Sequence, residues 1–339
     1  MKVAIVGVGK MGRRHIEVAR SLNLEIVGIC DAQSEALLLA INSHNIPESC
    51  AFCDAKTMLR EAGPECVVIA TTAPTHCEFT CLAANTGAKY ILCEKPMACS
   101  LAECDQMIET CRDRDVRLVV NHQMRYMAQY TEPKRLIDSE AFGGLGSVSV
   151  LGGNFGVAMN GCHYFEMFRF LTDESPLEVT AWFSAEKVPN PRGAQFQDRA
   201  GAVRLVTASG KRFYLEAGSD QGHGMTVIYS ARNGQIMVNE LTGEFHSWVR
   251  EAPHRKLPTT RYGMPAVHEY HSITPADAFA PTKSVIEAML SGTTVGPSGK
   301  EGRLAVEVLV AAHVSDEEGH RTINLRQDIL PRERKFPWA

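Results

Sequence analysis

One turn limits what this chain can become. Gly7-Val8-Gly9-Lys10-Met11-Gly12 follows directly on the apolar run at 3–6 and opens a segment of helical periodicity. A G-x-G-x-x-G set between a buried strand and a helix is the phosphate-binding turn of a dinucleotide fold. Gly7 permits the tight turn, Gly9 lets backbone approach a pyrophosphate, and Gly12 lets helix and strand pack closely. Val8, Lys10 and Met11 complete the loop. The unpaired N–H groups of the first helical turn offer phosphates a partial positive charge. Asp31, nineteen residues after Gly12, closes the second apolar run. A carboxylate there accepts hydrogen bonds from ribose hydroxyls and repels a 2′-phosphate, which favours NAD over NADP.

Up to residue 121, apolar runs at 3–6, 24–30, 66–70, 89–93 and 117–120 alternate with helical patterns at 11–22 and 74–85. Continuous apolar strands separated by helices predict a parallel sheet covered by helices, so 1–121 reads as an α/β Rossmann domain. Pro74 suits a first helical position, and Ser100-Leu101-Ala102-Glu103 reads as a capping box. After Asn121 the rhythm changes. Short strands at 147–151, 177–183, 203–207, 212–217 and 226–229, with turns at Ser209-Gly210 and Asn233-Gly234, predict an antiparallel sheet. Helices follow at 161–171, 283–290 and 300–313. Residues 122–339 therefore read as a second, α+β domain, as a chain of 339 residues leads one to expect.

Composition removes other classes. With a net charge of −4 and no uninterrupted basic run, the chain is not expected to bind nucleic acid. No apolar stretch reaches the ~18 residues of a membrane span, and the N-terminus reads as a strand rather than a signal peptide. Eleven scattered cysteines without an export signal fit reduced thiols and a cytoplasmic location. Cys50-Ala51-Phe52-Cys53 has no second pair to complete a zinc site, so no metal is expected. There is no G-x-S-x-G and no P-loop, which leaves hydrolase and kinase readings without a starting residue.

Cys93-Glu94-Lys95-Pro96 stands where the run at 89–93 ends. Open parallel sheets bind ligands outside the carboxyl ends of their strands, which directs Lys95 toward the nicotinamide. Together with the glycine loop, Asp31, Thr71-Thr72-Ala73-Pro74-Thr75-His76, Gly161-Cys162-His163 and the stretch from Glu301-Gly302 to Ser315-Asp316, this motif resembles the Gfo/Idh/MocA family. That family takes its name from glucose–fructose oxidoreductase, inositol dehydrogenase and a rhizopine-catabolism protein. The resemblance covers nearly the whole chain.

The resemblance implies that the second domain is built on a large, open, mostly antiparallel sheet used for forming a homo-dimer or homo-tetramer. It implies NAD(H)-dependent interconversion of a secondary alcohol and a ketone on a sugar, cyclitol or sugar derivative. Thr71, Thr72, Pro74, His76, Glu94 and Lys95 would then line the cofactor. Lys95 would hydrogen-bond the reacting oxygen, and His163 would take or return the hydroxyl proton. An imidazole titrates near neutrality and an ammonium stabilises a developing alkoxide, so the residue types suit these roles.

The sequence departs from the family at one point. The aspartate that many members carry four residues before the histidine is Met159 here, with Asn160 beside it and Glu166 three residues after His163. Asn160 can hold the ring by a hydrogen bond, and Glu166 lies on a neighbouring helical face. His122 and Arg125 follow the last Rossmann strand, where the family often carries a site arginine. Arg192, in a loop rich in Pro and Gly that continues through Gln195 to Arg199, suits a carboxylate or phosphate. The polar turn Gln221-Gly222-His223-Gly224 is a further candidate wall. Two other readings use the same fold: an NAD-binding sensor without net catalysis, and redox-assisted elimination at a sugar.

Overall fold

The computed structural model describes residues 1–153, 155–218, 220–222, 224–258, 265–292 and 296–339. They form two compact units, one of residues 1–123, 278–307 and 331–339, the other of 124–277 and 308–330. His223, one of the candidate wall residues, lies outside the described residues.

The first unit carries six strands: β1 (Lys2–Val6), β2 (Glu25–Cys30), β3 (Ala51–Phe52), β4 (Cys66–Ile69), β5 (Tyr90–Cys93) and β6 (Arg117–Val120). Its first five helices are α1 (Lys10–Ser21), α2 (Ser34–His44), α3 (Ala55–Ala62), α4 (His76–Asn85) and α5 (Leu101–Asp113). All strand pairs are parallel, in the order β3-β2-β1-β4-β5-β6. This is the expected doubly wound layout, and the strand order reverses between β1 and β4, where such sheets bind ligands. Every residue of β4 is buried, and α1 turns Gly12, His15, Ile16 and Ala19 inward at helical spacing. Ser100 caps α5 through the Glu103 N–H at 3.2 Å, while the Glu103 carboxylate reaches the Cys99 N–H at 3.1 Å, one residue ahead of the box as read. Pro74 sits in a short 3₁₀ turn, Ala73–Thr75, that leads into α4.

The second unit holds α6 (Ala128–Ile137), β7 (Leu145–Gly153), α7 (Cys162–Thr172), β8 (Pro176–Val188), β9 (Asp198–Thr207), β10 (Arg212–Gly218), β11 (Met225–Ala231), β12 (Gly234–Asn239), β13 (Glu244–Arg250), β14 (Ala266–Ser272) and β15 (Ile323–Asn324). Among the described residues these strands form one nine-stranded sheet, β14-β13-β12-β11-β7-β10-β9-β8-β15, antiparallel throughout except for β7 with β10. Register sorts its two faces. Val150, Leu215, Val203, Val227, Ile236 and Phe245 are buried on one, and α7 lays Phe165 and Phe168 over Phe213 with ring centroids 6.0 and 5.4 Å apart.

Two local solutions in this unit follow from backbone chemistry. Pro133 inside α6 has no N–H to give the carbonyl of Gln129, four residues before it. The Tyr229 hydroxyl on β11 donates to that oxygen instead, at 2.8 Å. In the β9–β10 hairpin Gly210 takes φ +84°, as its turn requires, whereas Gly234 does not adopt a positive φ. Gly234 is glycine for room: a Cβ there would lie 2.3 Å from the Trp248 carbonyl oxygen.

The chain then returns to the first unit. Helix α8 (Phe279–Ser291) receives a hydrogen bond from Arg117 to the Met289 carbonyl at 2.7 Å. Helix α9 (Gly299–Glu317) begins against β6, where Gly302 leaves room for Val120. The C-terminal segment covers the start of α5, with Ala102 N–H to Arg332 O at 3.0 Å and Phe336 N–H to Cys99 O at 2.9 Å. Trp338 is fully buried and stacks on Phe336. Among the described residues no helix is long and apolar enough to cross a membrane.

Candidate active site

The glycine loop has the three environments its spacing predicts. Gly7 holds φ +87°, and a Cβ on it would lie 2.7 Å from the Ala70 carbonyl carbon. A Cβ on Gly12 would lie 1.9 Å from the Gly7 carbonyl oxygen, so β1 and α1 meet there at backbone distance. Gly9, the N-cap of α1, has nothing within 4 Å of a built Cβ and is exposed. The open position is the one where a pyrophosphate would be met. Asp31 ties the loop down: its carboxylate accepts the Val8 N–H at 2.8 Å and the Gln33 N–H at 2.9 Å. A carboxylate has about four lone-pair sites, so capacity for ribose hydroxyls remains. Lys10 is exposed, and Met11 is half-buried.

A second set of contacts runs from this loop to Lys95. His76, 1% exposed, places Nδ1 2.9 Å from the Pro96 carbonyl and Nε2 3.3 Å from the Thr71 carbonyl. Burial pushes its pKa below the usual histidine range, and a neutral ring has one N–H to donate to one of these two carbonyls. Thr71 and Thr72 are half-buried and Pro74 is exposed. Glu94 is buried, and one carboxylate oxygen accepts from His15 Nε2 and from Asn121 Nδ2, each at 2.8 Å. The other accepts the Lys95 N–H at 3.3 Å. Burial alone would raise the Glu94 pKa. The His15 and Asn121 hydrogen bonds and the His15 and Lys95 charges outweigh it and hold the group at about 2. His76 and Glu94 thus bond inside the protein and brace the loops that carry Thr71 and Lys95. Lys95 itself is half-buried, at the carboxyl end of β5.

His122 is buried in the first unit, and the other expected residues lie in the second. His163 is 7% exposed and is the second residue of α7, which follows a π-helical turn at Val157–Gly161. Met159 and Asn160, within that turn, are half-buried. Glu166 is fully enclosed and accepts hydrogen bonds from Arg125 and, at 3.3 Å, from Arg169. Burial pushes its carboxyl above the usual range against the pull of both guanidiniums. Arg125 also lies 5.5 Å over the Phe170 ring. Arg192 is exposed in a tight turn where Asn190 accepts its N–H at 3.0 Å. Among the described residues no group of three His, Cys, Asp or Glu side chains is placed to hold a metal ion.

Sequence reading missed His15, Asn121, Arg169, Asp198 and Glu240. His15 had a usable signal, since it falls three residues after Gly12 on the inward face of α1. Glu240 follows β12 and is buried, accepting hydrogen bonds from Tyr130 and, at 3.0 Å, from Tyr164 beside His163. Nothing local marked it.

Residues 1–122 match a family model described as the Gfo/Idh/MocA oxidoreductase family, NAD-binding Rossmann fold. D-apiose dehydrogenase of Paraburkholderia graminis is 35% identical over 143 residues, 42% of this chain and 37% of that protein, so the match spans well under half of that relative. Inositol 2-dehydrogenase of Rhizobium meliloti is 24% identical over 92% of this chain and 96% of its own length. A crystal structure of an oxidoreductase from Agrobacterium radiobacter in complex with NAD+, L-tartaric acid and magnesium shares the fold. Its TM-score is 0.79 at 19% identity, covering 96% of this chain and 98% of that one.

Proposed function

We propose, for a chain whose residues 1–122 belong to the Gfo/Idh/MocA oxidoreductase family, that it is an NAD(H)-dependent dehydrogenase interconverting a secondary alcohol and a ketone on a sugar, cyclitol or sugar derivative. The observation that carries this reading is the continuous set of contacts in the first unit from the glycine loop through His15 and Glu94 to Lys95. It joins a fitted phosphate-binding turn to an ammonium at the ligand end of the sheet.

Gly7, Val8, Gly9, Lys10, Met11 and Gly12 receive the pyrophosphate, and Asp31 takes the ribose and repels a 2′-phosphate. NAD, when bound, accepts or returns the hydride. Thr71, Thr72 and Pro74 border it, while His76 and Glu94 act from behind. Lys95 donates a hydrogen bond to the reacting oxygen and stabilises its negative charge as the proton leaves. His163 takes that proton in oxidation and returns it in reduction. His122, Arg125, Asn160 and Arg192 serve the rest of the substrate. Arg125 does so as part of a cluster with Glu166 and Arg169 that keeps a net positive charge. Residues 1–121 act as the cofactor domain and 122–339 as the substrate and oligomerisation domain, with 278–307 and 331–339 packing in the first compact unit.

The protein works in the cytoplasm as a homo-dimer or homo-tetramer. Support for self-association comes from the sheet face opposite the buried one, where Leu151, Trp182 and Tyr270 are 48%, 47% and 59% exposed. Light scattering that finds only monomer at assay concentration overturns that part.

The deciding experiment follows absorbance at the NADH band with NAD or NADP and a panel of cyclitols, sugars and sugar acids. A rise with one substrate that disappears in Lys95→Met and in His163→Ala, with NAD binding kept, supports the dehydrogenase. A flat trace from protein that binds NAD counts against it and toward a sensor, for which Met159 in place of the aspartate speaks.

A further inference from the structure

The second unit carries a buried carboxylate that the foregoing roles do not use. Asp198, the first residue of β9, is 3% exposed. Its Oδ1 accepts the Ala158 N–H at 2.8 Å and its own neighbour's N–H, Arg199, at 3.0 Å. Its Oδ2 accepts the Met159 N–H at 2.7 Å. Ala158 and Met159 belong to the π-helical turn that leads into α7 and His163. The first N–H groups of a helical segment have no partner within it, and a carboxylate there meets both the orphan donors and the positive end of the dipole. The chain makes room for this arrangement. A Cβ on Gly156 would lie 2.0 Å from the Asp198 carboxyl carbon, so any side chain at 156 displaces the carboxylate.

We infer that Asp198 is the positioning residue for His163, acting through the backbone of the turn at Met159, the position at which many members of the family the sequence resembles carry an aspartate. The carboxylate reaches the turn from β9. It fixes two consecutive peptide groups, and these set how α7 begins and so where the imidazole of its second residue stands. A π-helical turn is a wide, uncommon turn that needs such outside support, and such turns recur beside functional groups. The stretch from Gln195 to Arg199, singled out in the sequence without a role, thereby acquires one.

This inference rests on the dehydrogenase reading for its kinetic arm, and a second measurement frees it from that reading. Asp198→Asn keeps an acceptor oxygen but turns the other position into a donor facing an N–H. Gly156→Ala leaves Asp198 in place and pushes its carboxylate away. Asp198→Glu keeps the charge and displaces it. In full-length protein labelled at histidine, the His163 imidazole resonances (assigned with His163→Gln) should move in all three variants. In the assay, kcat should fall about tenfold or more in Asp198→Asn and Gly156→Ala, with KM and the NAD dissociation constant within about threefold. If one of these variants fails to fold, the other two decide. His163 resonances unchanged in folded variants overturn the inference, as does an equal loss of NAD affinity, which would mark general damage. Moved resonances in a protein that turns over no substrate leave Asp198 in this role and sink the dehydrogenase reading alone.

Discussion

Two glycines three residues apart should fail in opposite ways when each is replaced by alanine. At Gly12 the added Cβ meets the Gly7 carbonyl oxygen at 1.9 Å, where real Cβ contacts essentially never fall below 3.0 Å. The obstacle is backbone on both sides, so α1 must retreat from β1 by more than 1 Å. Overpacking of this kind costs up to about 3 kcal/mol, which lowers Tm by about 6–12 °C in a unit of this size. NAD binding should weaken as a consequence of the displaced helix. At Gly9 the Cβ meets nothing and φ is −61°, so alanine fits the folded backbone. Its effect on stability should be nil or favourable by about 0.5 kcal/mol, since alanine restricts the unfolded chain. Its Cβ nevertheless occupies the space through which a pyrophosphate approaches. A tenfold loss of NAD affinity, about 1.4 kcal/mol, is the least that should follow. Differential scanning calorimetry and NAD titration calorimetry on both variants separate the two effects. Gly12→Ala with an unchanged Tm refutes the steric reasoning, and Gly9→Ala with an unchanged NAD dissociation constant refutes the placement of the phosphates.

Other expectations follow from single groups. Asp31→Ala should narrow the preference for NAD over NADP and also weaken NAD binding, because the variant loses the acceptor of the Val8 and Gln33 N–H groups; unchanged selectivity by calorimetry counts against its ribose role. Glu94 is depressed to about 2 from an ordinary 4.5, so its stabilisation is full above about pH 4.5 and is lost as pH falls toward 2. Unfolding free energies of wild type and Glu94→Gln from denaturant titration should therefore differ at pH 7, by about 3 kcal/mol for a broken buried pair, and converge only as pH falls to about 2. Glu240 shows the opposite sign: burial raises it from 4.5 to about 7, so its favourable contribution holds at low pH and is lost as pH rises through 7. Glu240→Gln should flatten the decline of Tm between about pH 4.5 and pH 7, and an equally steep decline in the variant removes Glu240 as its source.

The legible parts of the sequence were those where one residue type has one physical use. The glycine loop, the buried parallel strands and the capping serine are local in origin, so spacing alone announced them. The Pro133 helix hid behind its proline, because the group that satisfies Gln129 comes from β11, 100 residues away. β13 and β14 went unread because their aromatic and histidine pattern gives no clean alternation, and the short β12 between two turns went unread with them. Glu94 was legible as part of a motif, yet its partners His15 and Asn121 are 79 and 27 residues distant. Asp198 is separated by 40 residues from the turn it supports. Contacts of that span are fixed by sheet order, which a pattern along the chain does not carry.

The C-terminal segment packed on α5 also bears on biosynthesis. Trp338 and Phe336 complete a surface laid down by residues near 100, and α8 supplies the hydroxyl of Thr282 to Asn121 at 3.4 Å. On the ribosome the first segment of the first unit emerges ahead of the rest, yet two of that unit's three chain segments are still untranslated when its parallel sheet is already outside the tunnel. Its nascent form must wait with an apolar seam uncovered through the synthesis of more than 150 further residues. A fragment ending at 121 should inherit that seam permanently, and with it a tendency to bind chaperones or itself.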